Sequence, residues 1–141
     1  MSSELLFSEI LEEFDAAQGK NEKIAVLRKY DHHRFRDFFY CLFNKNIEFD
    51  VEIPQWRPAL EPAGLNHTYL DMEMPLLYRF IKNHPKRTNV SPERLSKLLK
   101  VVLESLHVSE AELLVQLINK KVEIKYLTPL LVKEAFPNLD I

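Results

Sequence analysis

The sequence predicts an all-α fold, a compact bundle of six to seven helices in a single domain over residues 1–141. Three observations lead to this prediction. Apolar residues recur at intervals of three and four along most of the chain, which is the period of one face of an α-helix. Ser, Thr, Asp or Asn stands before most of these segments, where such side chains cap helices. Short polar turns join most of the segments, as they do in helical bundles.

The length and composition of the chain are those of one globular domain. It has 141 residues, of which 46% are hydrophobic and 28% are charged, so a single core can bury most of the apolar surface. No apolar run approaches the roughly 18 residues that are needed to cross a bilayer. The N-terminal sequence MSSELLFSEILEEF is acidic, unlike a secretory signal. We therefore expect no membrane association and a cytoplasmic location.

The first three predicted helices contain the strongest apolar stripe. Ser3 is the candidate cap of a helix over 3–17, and Asn21 is the candidate cap of a shorter second helix with an exposed basic face. Asp31 is the candidate cap of a third helix over 32–44, whose aromatic stripe predicts core packing and not a base-stacking platform. The basic residues assigned to solvent are Lys20, Lys23, Arg28 and Lys29, and the core stripe is Phe35, Phe38, Phe39, Leu42 and Phe43.

Residues 45–68 interrupt the helical rhythm and form the one long loop of the predicted fold. Apolar and acidic residues alternate over 47–53, which is typical of a short extended segment, but the sequence offers it no evident partner strand. Trp56 and Arg57 follow, and these residue types dominate the binding energy of protein interfaces. They are therefore candidate partner-binding residues. The alternative is that Trp56 fixes the loop to the body of the protein.

The fourth and fifth helices have recognisable starts. Asp71 is the candidate cap of a helix over 71–83, in which Pro75 permits an early kink or a later start. Ser91, followed by proline and glutamate, begins a leucine-rich helix over 92–106.

The last two helices are also marked by local signals. Ser109 and Glu112 have the spacing of a capping box, so a helix should begin at Ser109. Thr128 and Pro129 then provide a cap and a first helical residue for the final helix, which Pro137 ends.

Sequence motifs of catalysis, nucleotide binding and metal binding are absent. Gly19 and Gly64 are the only glycines, and neither belongs to a phosphate-binding glycine loop. His32 and His33 are adjacent, so on a helix they point about 100° apart and cannot chelate one ion together. The single Cys41 lies among apolar residues and is expected to be a buried thiol. We predict no enzyme activity, no catalytic or metal-binding residue, no cofactor and no small-molecule substrate.

Charge alternates in blocks along the chain, although the net charge is only −2. Counting Lys and Arg against Asp and Glu gives −5 for residues 1–18, +4 for 19–45, +5 for 82–100 and +3 for 119–133. If the basic blocks meet on one face, the protein has a positive patch suited to nucleic acid. The alternative is that they are solvated helix faces that point in different directions.

From about Phe35 onward, the order of segments resembles the N-terminal all-helical DNA-binding domain of ATP-dependent DNA ligases from tailed bacteriophages. The resemblance lies in three stretches, FFYCLFNKNIEF, LLYRFIKNHPKRTNVSPERLSKLL and LINKKVEIKYLTPLLVKEAFPNL. In that family the domain grips duplex DNA through the backbone and the minor-groove side, using turns between helices. The resemblance thus implies DNA-binding roles for Lys86, Arg87, Thr88 and Asn89 in one turn and for Lys120, Lys121 and Lys125 in another.

The sequence departs from the pattern of that family in two places. Lys125 and Tyr126 stand where the last turn usually has a glycine, whose backbone can approach a phosphate closely. No Lys-x-Asp-Gly motif of a ligase adenylation domain occurs. We therefore expect a free-standing relative of the domain and not a ligase, located in the cytoplasm of the host cell if a phage encodes it.

Two functions remain open from the sequence. The first is a non-catalytic accessory module of DNA metabolism that binds duplex DNA through backbone phosphates, as the resemblance and the basic blocks suggest. The second is a protein-interaction or adaptor protein that keeps the fold without binding DNA. It would bind a partner through Trp56 and its loop, or self-associate, as the negative net charge and the acidic first helix suggest.

Overall fold

The apolar stripes of the sequence form helices throughout the structure, a computed structural model that describes residues 5–87 and 89–141. In these residues the chain forms seven α-helices and one 3₁₀ helix, which confirms the predicted all-α bundle. The α-helices are α1 (Phe7–Ala16), α2 (Gly19–Lys29), α3 (His33–Phe43), α4 (Leu70–Glu73), α5 (Pro92–Ser105), α6 (Val108–Ile118) and α7 (Pro129–Ala135), and the 3₁₀ helix is Met74–Phe80.

The start of α2 differs from the prediction. Gly19 is the first residue of α2, so the predicted cap Asn21 lies inside its first turn. The carboxylate of Glu22, a residue of the first turn, accepts the N–H of Gln18 at 2.8 Å. A side chain of the helix thus satisfies the backbone N–H of the residue before it. Ser3, the predicted cap of α1, lies outside the described residues.

Histidines take the place of two other predicted caps. His32, and not Asp31, caps α3, because its Nδ1 accepts the N–H of Arg34 at 3.2 Å. His107 caps α6 in the same way by accepting the N–H of Ser109 at 3.1 Å, so the helix begins one residue before the predicted start. In both cases an imidazole nitrogen satisfies an orphan amide in the first turn of the helix.

The two starts that combine a hydroxyl cap with proline are as predicted. Ser91 Oγ accepts the N–H of Arg94 at 3.3 Å at the start of α5. Thr128 Oγ1 accepts the N–H of Leu131 at 3.2 Å at the start of α7. Proline is the first residue of each helix, where it has no N–H to leave unsatisfied.

The predicted helix over 71–83 is wrong, because two short elements replace it. α4 ends just before Pro75, which has no N–H to continue an α-helical ladder, and the chain continues as the 3₁₀ helix. Asp71 does not cap α4. The N–H of Leu70 is instead satisfied by the carboxylate of Glu110, which reaches across from α6 at 2.9 Å.

Residues 44–69 contain no helix and form the long connection that the sequence predicts. Its extended part does find a partner, which the sequence did not indicate. Phe49 forms an isolated antiparallel bridge with Ile81, and the N–H of Asp50 donates to the carbonyl of Phe80 at 2.7 Å. Because the partner is the end of the 3₁₀ helix, the contact fixes the loop without forming a sheet.

One hydrophobic core joins the helices. α2 packs on α1 and α7, and α5 packs on α6. The aromatic stripe of α3 lies in the core as predicted, since Phe35, Phe38 and Phe39 are each at most 1% exposed. Cys41 is also buried, as expected. Within the described ranges, no helix has both the length and the apolar character required to cross a bilayer.

Lys23 contradicts the prediction that the basic side of α2 faces solvent. The residue is buried, and its ammonium group donates to the carbonyls of Phe14 at 3.0 Å and Asp15 at 3.3 Å. These carbonyls belong to the last turn of α1, where orphan acceptors need donors from outside the helix. Lys23 therefore ties α2 to the end of α1.

Candidate nucleic-acid interface

The first predicted DNA-binding turn, residues 84–89, is held in place by one of its own basic residues. The guanidinium of Arg87 donates to the carbonyls of Ile81 at 3.2 Å and Asp50 at 3.1 Å. It also lies 3.5 Å from the carboxylate of Asp50. Arg87 therefore uses its donors to connect the turn to the long loop.

The other basic residue of this turn faces solvent. Lys86 is exposed and forms no ion pair with another described residue. Its backbone N–H donates to Nδ1 of His84 at 3.1 Å, which fixes the backbone while the ammonium group stays available. Asn89 is exposed as well. Thr88, the fourth predicted residue of the turn, lies outside the described part of the chain.

The second predicted turn follows α6, and Lys120 anchors it. The ammonium group donates to the carbonyls of Cys41 at 2.6 Å, Asn44 at 2.7 Å and Ile47 at 2.8 Å. Two of these carbonyls belong to the C-terminal end of α3, where the helix dipole favours a cation. Burial lowers the pKa of Lys120 below its ordinary value. The three donors of this lysine are thus committed within the protein.

The remaining lysines of the second turn are exposed. Lys121 lies 3.4 Å from the carboxylate of Glu123 in a solvent-exposed ion pair. Lys125 lies over the ring of Tyr126, 5.2 Å from its centroid. Tyr126 has a φ of 69°, the left-handed region that favours glycine. Tyr126 thus has a glycine-like backbone conformation.

Both turns are attached to residues 41–50, but through different contacts. Lys120 binds the end of α3 and Ile47, and Arg87 binds Asp50. Lys86 lines a cleft beside α3 and the 3₁₀ helix, whereas Lys125 lines a groove between the α1–α2 turn and α7. The two residues nearest the shared segment are therefore those whose charges are used internally.

Three exposed cations on α5 were not predicted as site residues. Arg94, Lys97 and Lys100 recur every three residues on the solvent side of the helix, and none pairs with another described residue. Ser96 Oγ donates to the carbonyl of Glu52 at 3.0 Å. α5 therefore lies beside the part of the long loop to which Arg87 is also hydrogen-bonded. The spacing of three within the basic block 82–100 was the signal that could have identified them.

The predicted partner-binding pair has two different environments. Trp56 is half-buried against the core. Its indole N–H is buried and has no hydrogen-bond partner among the described residues. Arg57 is exposed, and its backbone N–H donates to the carboxylate of Glu104 at 2.9 Å, which connects the loop to α5. Trp56 contacts the body of the protein, and Arg57 leaves its guanidinium in solvent.

A buried carboxylate connects three helices of the bundle. Glu110 of α6 is 1% exposed and accepts the N–H of Phe7 at 3.0 Å and that of Leu70 at 2.9 Å. Burial raises the pKa of Glu110 above its ordinary value, and the two backbone hydrogen bonds oppose this effect. The carboxylate therefore joins the starts of α1 and α4 to α6.

Comparison with known proteins assigns the chain to a family. A family model described as "Family of unknown function (DUF6433)" matches residues 10–124. The chain belongs to this family. No curated protein and no solved structure matches it. The family match includes the turn at 84–89, α5 and α6, and it ends just before Lys125.

Proposed function

We propose that the protein is a non-catalytic module that binds duplex DNA through backbone phosphates, with the turn at 84–89 and α5 as the contact surface. One observation supports it above all: in the turn at 84–87 and in α5, four exposed cations form no ion pair with another described residue. They are Lys86, Arg94, Lys97 and Lys100. Uncommitted cations of this kind bind phosphates because each contact releases counterions from the DNA.

Two acidic residues near this surface are paired with cations. Asp50 lies 3.5 Å from Arg87, and Glu48 lies 3.2 Å from Lys82. Glu52 and Asp37 are exposed there without an ion pair to another described residue, but the four cations outnumber these two. Glu93 is in the first turn of α5, where the positive end of the helix dipole favours an acidic side chain. The surface potential around the four cations is therefore expected to be positive.

The proposal changes the set of residues that the sequence indicated. Lys86 remains a contact residue, and Arg87 becomes the residue that fixes the turn. Lys120 likewise fixes the second turn, because its ammonium group is bonded to three carbonyls. Lys121 and Lys125 remain candidates for a separate, weaker contact.

Binding of this type is expected to depend strongly on salt and little on sequence, because phosphate contacts carry no base information. Four phosphate contacts give a slope of about −3.6 in log K against log salt. Raising the salt from about 50 to about 200 mM should then weaken binding about a hundredfold.

The test is fluorescence anisotropy with a labelled blunt duplex at these two salt concentrations. The variant Lys97→Ala/Lys100→Ala removes two proposed contacts, so its salt slope should fall in magnitude by about 1.8. The matched control is Lys20→Ala/Lys29→Ala, which removes the same charge from two surface ion pairs of α2. The control should keep the slope of the wild type.

Two results would overturn this proposal. The first is that the wild type does not bind the duplex at the lower salt concentration. The second is that both double variants lose the same affinity. The second result would mean that total charge, and not the surface of α5, controls binding.

A groove favours the second candidate function, a protein-interaction module. The groove has a volume of about 630 Å³ and lies between the α1–α2 turn and α7. Two of its apolar lining residues are largely exposed, Tyr126 at 58% and Leu130 at 74%. Lys125 stands at the same groove and forms no ion pair with another described residue.

The occupant we assign to this groove is a second copy of the chain. The long loop presents Leu60, which is 93% exposed, next to the exposed carboxylate of Glu61. An apolar side chain followed by an acid is complementary to the apolar groove and Lys125. Such a contact joins two different surfaces and would build open chains.

Sedimentation equilibrium at about 10 to 500 μM tests this second function. Concentration-dependent association that either Leu60→Ser or Leu130→Ser abolishes would support it. A monomer over the whole range would overturn it, and so would association that survives both substitutions.

A further inference from the structure

A cleft of about 260 Å³ opens where α3, the 3₁₀ helix and the turn at 84–89 meet. Its walls include Tyr40 from α3, Tyr78 from the 3₁₀ helix, and His84 and Lys86 from the turn. The cleft lies at one edge of the proposed DNA surface, because Lys86 belongs to both.

The aromatic part of the cleft has the form of a stacking surface. The rings of Tyr78 and His84 lie with centroids 5.4 Å apart and planes inclined by 36°. Both residues are half-buried and line the cleft, so part of each side chain is accessible from it. Flat aromatic side chains at an open cleft accept nucleobases because every base has a π face.

The polar groups at the cleft match the rest of a nucleotide. Nδ1 of His84 accepts the N–H of Lys86 at 3.1 Å, so the neutral ring carries its proton on Nε2 and can donate from there. The hydroxyls of Tyr40 and Tyr78 form no hydrogen bond with another described residue. The Lys86 ammonium is available for a phosphate, and the exposed carboxylate of Asp37 can accept from an exocyclic amine.

We propose that this cleft binds one unstacked nucleotide, with the base against Tyr78 and His84 and the phosphate at Lys86. The cleft, at about 260 Å³, is large enough for a single base and smaller than the pockets of about 300 to 1,000 Å³ that enclose drug-sized ligands. The Asp37 carboxylate repels a phosphate, so the phosphate lies on the Lys86 side of the cleft. As a part of DNA binding this inference rests on the proposed function, and the ligand is then an unpaired nucleotide next to a duplex.

The same chemistry has a second source, a free nucleotide, and the experiment separates the two. In the first part, 2′-deoxycytidine 5′-monophosphate and 2′-deoxycytidine, whose base carries an exocyclic amine, are titrated to about 10 mM into isotope-labelled protein and followed by NMR. Shifts of the aromatic resonances of Tyr40, Tyr78 and His84 are expected, at lower concentration for the monophosphate than for the nucleoside. The variant Lys86→Ala should remove this difference.

In the second part, two labelled duplexes are compared by anisotropy, one blunt and one with a single unpaired nucleotide at an end. The unpaired nucleotide should strengthen binding at least about fivefold, because one stacked base contributes that much in single-strand binding proteins. The variant Tyr78→Leu keeps an apolar side chain of similar bulk but has no aromatic face. It should lose this gain and keep the affinity for the blunt duplex.

The outcomes separate this inference from the proposed function. Nucleotide shifts together with a gain from the unpaired nucleotide support both. Binding of both duplexes with equal affinity, without nucleotide shifts in the cleft, overturns the cleft and leaves duplex binding standing. Nucleotide shifts without any duplex binding overturn the proposed function and identify the free nucleotide as the ligand of the cleft.

Discussion

Replacing Lys120 by Met tests the interpretation that this lysine is structural. Methionine has a similar length and no charge, so Lys120→Met removes the three hydrogen bonds to carbonyl oxygens at 2.6, 2.7 and 2.8 Å. The left-handed backbone at this position, with a φ of 58°, is unfavourable for both side chains, so its cost cancels in the comparison.

The loss of stability follows from these contacts. A hydrogen bond to a charged group contributes about 1.5 to 3 kcal/mol. A buried carbonyl that loses its donor also carries the full cost of its removal from water. Lys120 is only half-buried, so water replaces part of what is lost. We expect a total loss of about 3 kcal/mol. At a urea dependence of about 1.5 to 2 kcal/mol per molar, the unfolding midpoint should fall by about 1.5 to 2 M.

The assay is urea unfolding followed by far-UV circular dichroism, with Lys121→Met as the control. Lys121 is the adjacent residue and has the same side chain, but its exposed ion pair at 3.4 Å from Glu123 should contribute at most about 1 kcal/mol. Equal midpoints for the two variants would refute the reasoning. In duplex binding below its unfolding range, Lys120→Met is expected to resemble the wild type.

Three further predictions concern other single residues. Glu110→Gln leaves one of two backbone N–H groups without an acceptor and should cost about 1 to 3 kcal/mol at pH 7. Because burial raises the pKa of Glu110, the folded protein takes up a proton at a higher pH than the unfolded chain does. Falling pH therefore favours the folded wild type, and its stability advantage over this variant should grow below pH 7. Tyr126→Gly should be about 1 kcal/mol more stable than Tyr126→Ala, because a φ of 69° costs alanine more than glycine. Burial raises the pKa of the Cys41 thiol to about 11, so a thiol reagent at pH 8 should react at least about a hundredfold faster after unfolding.

Each of these predictions has a result that contradicts it. For Glu110, the contradicting result is a stability difference between the wild type and the Gln variant that stays constant or shrinks as the pH falls. Chemical unfolding at several pH values measures this difference. For Tyr126, equal stability of the Gly and Ala variants would mean that the turn relaxes to a negative φ. For Cys41, rapid modification of the native protein would mean that the thiol is accessible.

The sequence predicted the fold class and some helix starts because these depend on local physics. A hydroxyl cap followed by proline acts within a few residues, so the starts at Ser91 and Thr128 were predicted correctly. The caps at Asp31 and Ser109 were not, because a histidine within two residues of each accepts the same kind of amide hydrogen. Sequence spacing alone does not rank such competitors.

The parts that could not be predicted depend on contacts between distant residues. Lys120 and Arg87 are basic residues in polar turns, and nothing local distinguishes them from Lys121 and Lys86. Their roles come from carbonyl groups that the fold brings to them, 73 to 79 residues away in the case of Lys120. For the same reason, the resemblance could indicate the basic turns but not which of their cations remain available.

The long reach of Glu110 also has a consequence for the order of events during protein synthesis. Its bond to Phe7 spans 103 residues and its bond to Leu70 spans 40. A nascent chain therefore exposes the starts of α1 and α4 without their acceptor until residue 110 has left the ribosome. Until then α1 can pack on α2, which follows it directly in the chain, but not on α6, so we expect its final position to be fixed only after α6 has been made.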